Sequence, residues 1–133
     1  EASGSLEQMS RIKSLCGERF ALISGDDALT LPVLAIGGTG VISVVANVVP
    51  KLVAKMIRSF EQGKLEEARR LHYELLPLTK AMFIETNPIP VKTAMGLMKL
   101  IEDRIMKRLF VLPLEYAITV CWLVYSTFPD LSM

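Results

Sequence analysis

Two short apolar segments with a helical stretch between them constrain this chain most. They are Phe20-Ala21-Leu22-Ile23-Ser24 and Val41-Ile42-Ser43-Val44-Val45. Neither alternates apolar with polar, so both read as strands buried on two faces, as in parallel sheets. Ser24-Gly25-Asp26-Asp27 follows the first, and Gly37-Gly38-Thr39-Gly40 precedes the second. Leu29, Leu31, Val33, Leu34 and Ile36 lie between them at helical spacing, with Pro32 early enough to be tolerated. Strand, helix, strand implies a parallel pair joined by a right-handed crossover. In such folds the loops beyond the strand ends open onto the face where ligands bind.

The glycine run is not a phosphate-binding loop. It lacks Gly-Lys-Ser/Thr and stands before its strand rather than after it. It reads as a tight helix-to-strand turn. Either Asp26 or Asp27 suits the cap of the helix that follows them. Two strands cannot close a barrel, and open parallel strands leave edges to be covered. The sheet therefore continues elsewhere, or another chain completes it.

The remaining elements are helical. Residues 5–16 carry Leu6, Met9, Ile12 and Leu15 as one stripe, with Glu7, Arg11 and Lys13 opposite, Ser5 as N-cap and Gly17 as C-cap. A helix opened by Pro50 carries Leu52, Val53, Met56, Ile57 and Phe60 and ends at Gly63. The next carries Ala68, Leu71, Leu75, Leu78 and Met82, with Pro77 expected to kink or split it. His72, the single histidine, lies off that stripe and reads as a surface or boundary residue. Glu85-Thr86-Asn87-Pro88-Ile89-Pro90 reads as a rigid loop with Asn87 and Ile89 extended, followed by a helix over 91–100.

With 133 residues, 51% of them hydrophobic, the chain can build a core as one domain or part of a larger one. A net charge of +1 argues against a nucleic-acid partner. Cys16 and Cys121 lack CxxC partners, so no disulfide framework, metal site or cofactor is expected, and a reducing, cytoplasmic compartment fits. Opening on Glu1, with no initiator Met and no signal peptide, suggests an interior start.

Several runs together carry a resemblance. They are Glu1-Ala2-Ser3-Gly4, Ser24-Gly25-Asp26-Asp27, Gly40-Val41-Ile42-Ser43-Val44, Ala46-Asn47-Val48, Leu75-Leu76-Pro77-Leu78 and Phe83-Ile84-Glu85-Thr86-Asn87-Pro88-Ile89-Pro90-Val91-Lys92. From residue 1 to about 103 the chain resembles the C-terminal half of the dihydrodipicolinate synthase family. These are pyruvate-dependent, Schiff-base class I aldolases, a group that includes N-acetylneuraminate lyase. The resemblance implies the last two strands of a TIM (β/α)8 barrel over residues 1–48 and C-terminal helices over 49–103. It also implies a lyase that condenses pyruvate with aspartate semialdehyde in lysine biosynthesis through diaminopimelate, commonly as a homo-oligomer.

By that resemblance the Schiff-base lysine would immediately precede Glu1, so this chain holds no catalytic residue and alone is expected to be inactive. Ile42 would line the pyruvate pocket, Gly25 would leave room for substrate, and Asp26 and Asp27 would order the rim. Asn-Pro-Ile-Pro-Val-Lys and Gly-Val-Ile-Ser-Val favour this branch over an N-acetylneuraminate lyase-like sugar-acid aldolase, which stays as an alternative.

Residues 104–133 depart from the pattern. Tyr116-Ala117-Ile118-Thr119-Val120-Cys121-Trp122-Leu123-Val124-Tyr125 has no polar face. A buried or interface segment, a membrane span over 109–128 and a non-native end such as a frameshifted tail compete. The abrupt departure favours the last. Pro113 and Glu115 weigh against a span of about 20 residues. A non-enzymatic helical module docked to a membrane or partner through this tail is the remaining alternative.

Overall fold

The structure, a computed structural model, describes residues 1–101. The atypical tail over 104–133 and its competing readings lie outside the described residues. In order the elements are α1 (Leu6–Cys16), β1 (Ile23–Ser24), α2 (Thr30–Ala35), β2 (Gly40–Val41), α3 (Pro50–Glu61), α4 (Leu65–Met82) and α5 (Ile89–Leu97). Short 3-10 turns over Asp27–Leu29 and Val45–Asn47 follow the two strands. The described residues divide into two compact units, the first of them Glu1–Leu75 and the second beginning at Leu76.

In the first unit β1 and β2 pair in parallel, Ile23 beside Gly40 and Ser24 beside Val41. The ladder extends beyond them: the Thr39 N–H donates to the Leu22 carbonyl at 2.8 Å and the Ile42 N–H to the Ser24 carbonyl at 2.9 Å. On the other edge of β1 the Glu1 nitrogen donates to the Ile23 carbonyl at 2.7 Å. The Gly25 N–H returns to the Glu1 carbonyl at 2.7 Å. That reciprocal pattern is a parallel pairing of Glu1 with Ser24. Three parallel segments therefore lie side by side in the order Glu1, β1, β2.

The strands are shorter than the apolar runs, because other groups claim the backbone at their ends. The Lys13 ammonium takes the carbonyls of Glu18 and Phe20 at 3.2 and 3.0 Å. Beyond β2 the Asp27 carboxylate takes the N–H groups of Val44 and Val45. Burial on two faces is also corrected. Leu22 and Ser24 are buried, but Phe20 and Ile23 are exposed. Leu22 packs with Met9 and Val33 on the helical side, so only one face of the described sheet is covered.

α2 is the hub, touching α1, α3 and both strands. Met9, Leu22 and Val33 form the core here, each worth roughly 1.5–3 kcal/mol for complete burial. α1 begins as read, with Ser5 Oγ accepting the Gln8 N–H at 3.2 Å, and ends at Gly17. Its buried face differs from the expected stripe. Leu15 is exposed and Lys13 buried. At about 100° per residue Lys13 lies only about 40° round from Met9, whereas Leu15 lies about 120° away on the other side. The lysine stem crosses the apolar face and its ammonium satisfies the loop before β1. Across α3 and α4, Glu67 accepts from Lys55 Nζ at 3.0 Å and from Ser59 Oγ at 3.1 Å. Those contacts lower its carboxyl pKa.

α4 runs continuously through Pro77, so the expected split does not occur. In the second unit Leu78, Ala81 and Met82 on α4 and Val91 and Ala94 on α5 are buried. Ile89 and Pro90 belong to the first turn of α5 rather than to an extended loop. A helix start needs no N–H from proline, so Pro90 fits there and Ile89 is drawn in with it. α5 closes early, at Leu97, and just past its C-cap Lys99 adopts a left-handed conformation with φ 56°. No helix among the described residues is long and apolar enough to cross a membrane.

Gly38 is the tightest point of the turn before β2. A Cβ there would stand 2.5 Å from Val33 Cγ1 and 2.6 Å from the Val33 carbonyl oxygen. Gly38→Ala is expected to cost about 1–3 kcal/mol, because backbone cannot give way like a side-chain tip. Gly40→Ala, which meets nothing within 4 Å, serves as the control in the same urea titration.

His72 on α4 is half-buried against Tyr73, its ring edge-on at 5.4 Å, and burial lowers its pKa from the usual 6.5. The unfolded chain therefore binds a proton before the folded one as pH falls. Stability should be complete above about pH 6.5 and decline below it. His72→Gln should flatten that slope in urea titrations between about pH 7.5 and about pH 5.5, on either side of about 6.5.

Candidate functional site

Both strands run into loops at the same end of the sheet, and the chemistry there starts from side-chain direction. Successive residues on a strand face opposite sides. Ser24 faces the helices, so Ile23 and Gly25 face away from them. Register places Gly40 beside Ile23. Ile42, two residues on, shares that uncovered face and is 77% exposed. An exposed isoleucine beside a ladder hydrogen bond is an apolar wall held by backbone.

Gly25 also lies at this end, and its missing side chain makes room for a neighbouring segment of the chain. A Cβ on Gly25 would stand 2.7 Å from Ala2 Cβ and 3.3 Å from the Glu1 carbonyl oxygen. The glycine lets the segment carrying Glu1 and Ala2 approach β1.

The two aspartates diverge. Asp26 is the cap: its Oδ1 accepts the Ala28 N–H at 2.8 Å. Ser24 Oγ supports the same bend, accepting the Asp26 N–H at 3.1 Å and donating to the Asp26 carbonyl at 2.8 Å. Asp27 is buried and points across to the loop after β2. Its Oδ2 accepts the Val44 N–H at 2.8 Å and the Val45 N–H at 3.3 Å, and its Oδ1 accepts from Ser43 Oγ. Ser43 Oγ in turn accepts the Ala46 N–H at 2.8 Å. One carboxylate and one hydroxyl thus bind three successive amides. Asp27 is a buried tie between the two loops.

Ser43 and Ile23 were not singled out by residue pattern. Ser43 carried a signal all the same: a hydroxyl residue three positions before an amide it can cap. Ile23 carried none, because its exposure depends on which face the helices cover. Cys16 is exposed at the end of α1, and among the described residues no three of His, Cys, Asp and Glu converge as metal ligands.

Comparison with known proteins adds to this geometry. The Dihydrodipicolinate synthetase family is matched over residues 1–117. The chain belongs to that family. It is 62% identical over 98 residues to the 4-hydroxy-tetrahydrodipicolinate synthase of Endomicrobium trichonymphae, covering 74% of this chain and 33% of that protein. Against the enzyme of the same name from Pelobacter propionicus it is 53% identical over 105 residues, 79% of this chain and 36% of the relative. Among solved structures, dihydrodipicolinate synthase from Aquifex aeolicus aligns with a TM-score of 0.89 and 40% identity, over 95% of this chain and 43% of that one. The Acinetobacter baumannii enzyme, solved with pyruvate, aligns with a TM-score of 0.84 and 30% identity, over 95% and 43%. The structural neighbours are TIM-barrel proteins. The chain spans about a third of the length of the curated relatives it matches.

The Asp27–Ser43 tie sets a measurable coupling. Asp27→Ala leaves two buried-side amides without an acceptor and is expected to cost about 1.5–3 kcal/mol. Ser43→Ala should cost less, and the double variant should fall short of the sum by about 0.5 kcal/mol or more. Urea unfolding of the four proteins of the cycle measures both quantities.

Proposed function

We propose that this chain is the C-terminal segment of a 4-hydroxy-tetrahydrodipicolinate synthase-type lyase. It would supply the last two barrel strands and their loops to a site that condenses pyruvate with aspartate semialdehyde. One observation carries the reading beyond family membership. Glu1 pairs with Ser24, so a residue immediately before Glu1 would pair with Ile23 and share the face of Ile23 and Ile42. A lysine there would address the same space as the apolar wall.

The chemistry needs such an arrangement. The lysine nitrogen adds to the pyruvate ketone carbon and water leaves, giving an imine. The imine draws electrons from the methyl group, which loses a proton and becomes an enamine nucleophile toward the aldehyde carbon. Pyruvate must meanwhile be held in one orientation and shielded from bulk water. Ile42 supplies a wall for that purpose. Gly25 supports it by admitting the Glu1 segment, and Asp26 and Asp27 by fixing the two loops. None of the four transfers a proton. A cytoplasmic homo-oligomer is the assembly this reading entails.

Borohydride reduction with labelled pyruvate tests the proposal. The 133-residue chain alone should take up no stable label on Lys51, Lys92 or its other lysines. The full-length protein that carries it should be labelled once, on the lysine before Glu1, and should consume aspartate semialdehyde. Label on any lysine of this chain overturns the proposal. Turnover of a sugar acid in place of the semialdehyde moves the assignment to the N-acetylneuraminate lyase branch.

A further inference from the structure

The peptide that follows Ile42 is held from two sides. On one side the Ile42 N–H is fixed to the Ser24 carbonyl at 2.9 Å. On the other, the Asp27–Ser43 pair grips the loop through the amides of Val44, Val45 and Ala46. Ile42 carries the first anchor on its own N–H and adjoins Ser43, the start of the second, and its side chain is 77% exposed. An exposed aliphatic side chain has little packing to set its position, so its backbone must do so. Asp27 is 8% exposed and does not reach the uncovered face itself.

We propose that Asp27 is a positioning residue for the pyruvate-binding wall. It acts through the loop after β2, holding Ile42 where the keto-acid substrate meets it. The inference rests on the aldolase reading above and adds a specific division of labour. Asp26 serves its own loop, where its carboxylate accepts the Ala28 N–H. Asp27 serves the neighbouring one. Loss of the Asp27 tie should therefore weaken pyruvate binding selectively. The aldehyde substrate, which would be held by residues outside this segment, should be little affected.

The test is steady-state kinetics of the full-length protein, with both substrates varied, for wild type, Asp27→Ala, Asp27→Asn and Asp26→Ala. Trapping with borohydride counts competent sites, so that rates are expressed per site and loss of folded protein is separated from loss of function. For Asp27→Ala the pyruvate KM should rise on the order of 10- to 100-fold, a cost typical of a misplacement near 1 Å, with the aldehyde KM within about twofold. Asp27→Asn keeps one oxygen for the amides and turns an N–H toward Ser43, so it should recover most of the loss. Asp26→Ala should leave the pyruvate KM closer to wild type than Asp27→Ala does.

Should Asp27→Ala fail to fold, Ser43→Ala carries the same expectation at smaller size, because it removes the hydroxyl arm of the tie. Equal changes in both KM values overturn the inference, as does a lower count of competent sites with unchanged KM values. Wild-type protein that takes up no label overturns the aldolase reading itself, and with it the role of Asp27.

Discussion

The buried carboxylate of Asp27 accepts from Ser43 Oγ and from the amides of Val44 and Val45, and much of the first unit depends on that bond set. It ends β2, because amides bound to a side chain cannot join a ladder. It fastens the loop of one βα unit to the loop of the next, which is how adjacent loops at a strand-end face acquire a shared geometry. It also leaves Ile42 as the last ladder residue, turned to the uncovered face.

Lys13 does the corresponding work at the opposite end of the sheet. Its stem lies on the apolar face of α1 and its ammonium takes two carbonyls ahead of β1. Both side chains are buried: Lys13 meets loop carbonyls with the exposed Glu18 carboxylate 3.9 Å away, and Asp27 meets loop amides and the Ser43 hydroxyl. Among the described residues no buried side-chain nitrogen or oxygen is left unpaired. The strands are short because two side chains trim them, one at each end.

Among the described residues a patch of apolar surface remains on the sheet face opposite the helices, where Ile23 and Ile42 stay exposed. In a closed barrel it would be the interior and the floor of a ligand site, which is the arrangement that the family relationship and the proposed function require. The same geometry accounts for Gly25, whose lost side chain admits the segment of Glu1 and Ala2.

Local patterns were enough for the order of helices and strands, the parallel crossover, the caps at Ser5 and Gly17 and the glycine turn before β2. Each depends on neighbours a few residues away, through periodicity, hydroxyl capping or steric freedom. The family motifs likewise lay open in the chain. Tandem Asp26-Asp27 could not be divided into a cap and a tie, because the partner amides of Asp27 lie 17 and 18 residues further on. Neither the burial of Lys13 nor the exposure of Leu15 followed from counting apolar residues, since both depend on where α2 lies against α1. The amino-acid order alone determined which segments become helix or strand. Tertiary structure alone decided where the strands stop, which face stays open and which acid holds the loop, because those outcomes rest on hydrogen bonds and packing between distant parts of the chain.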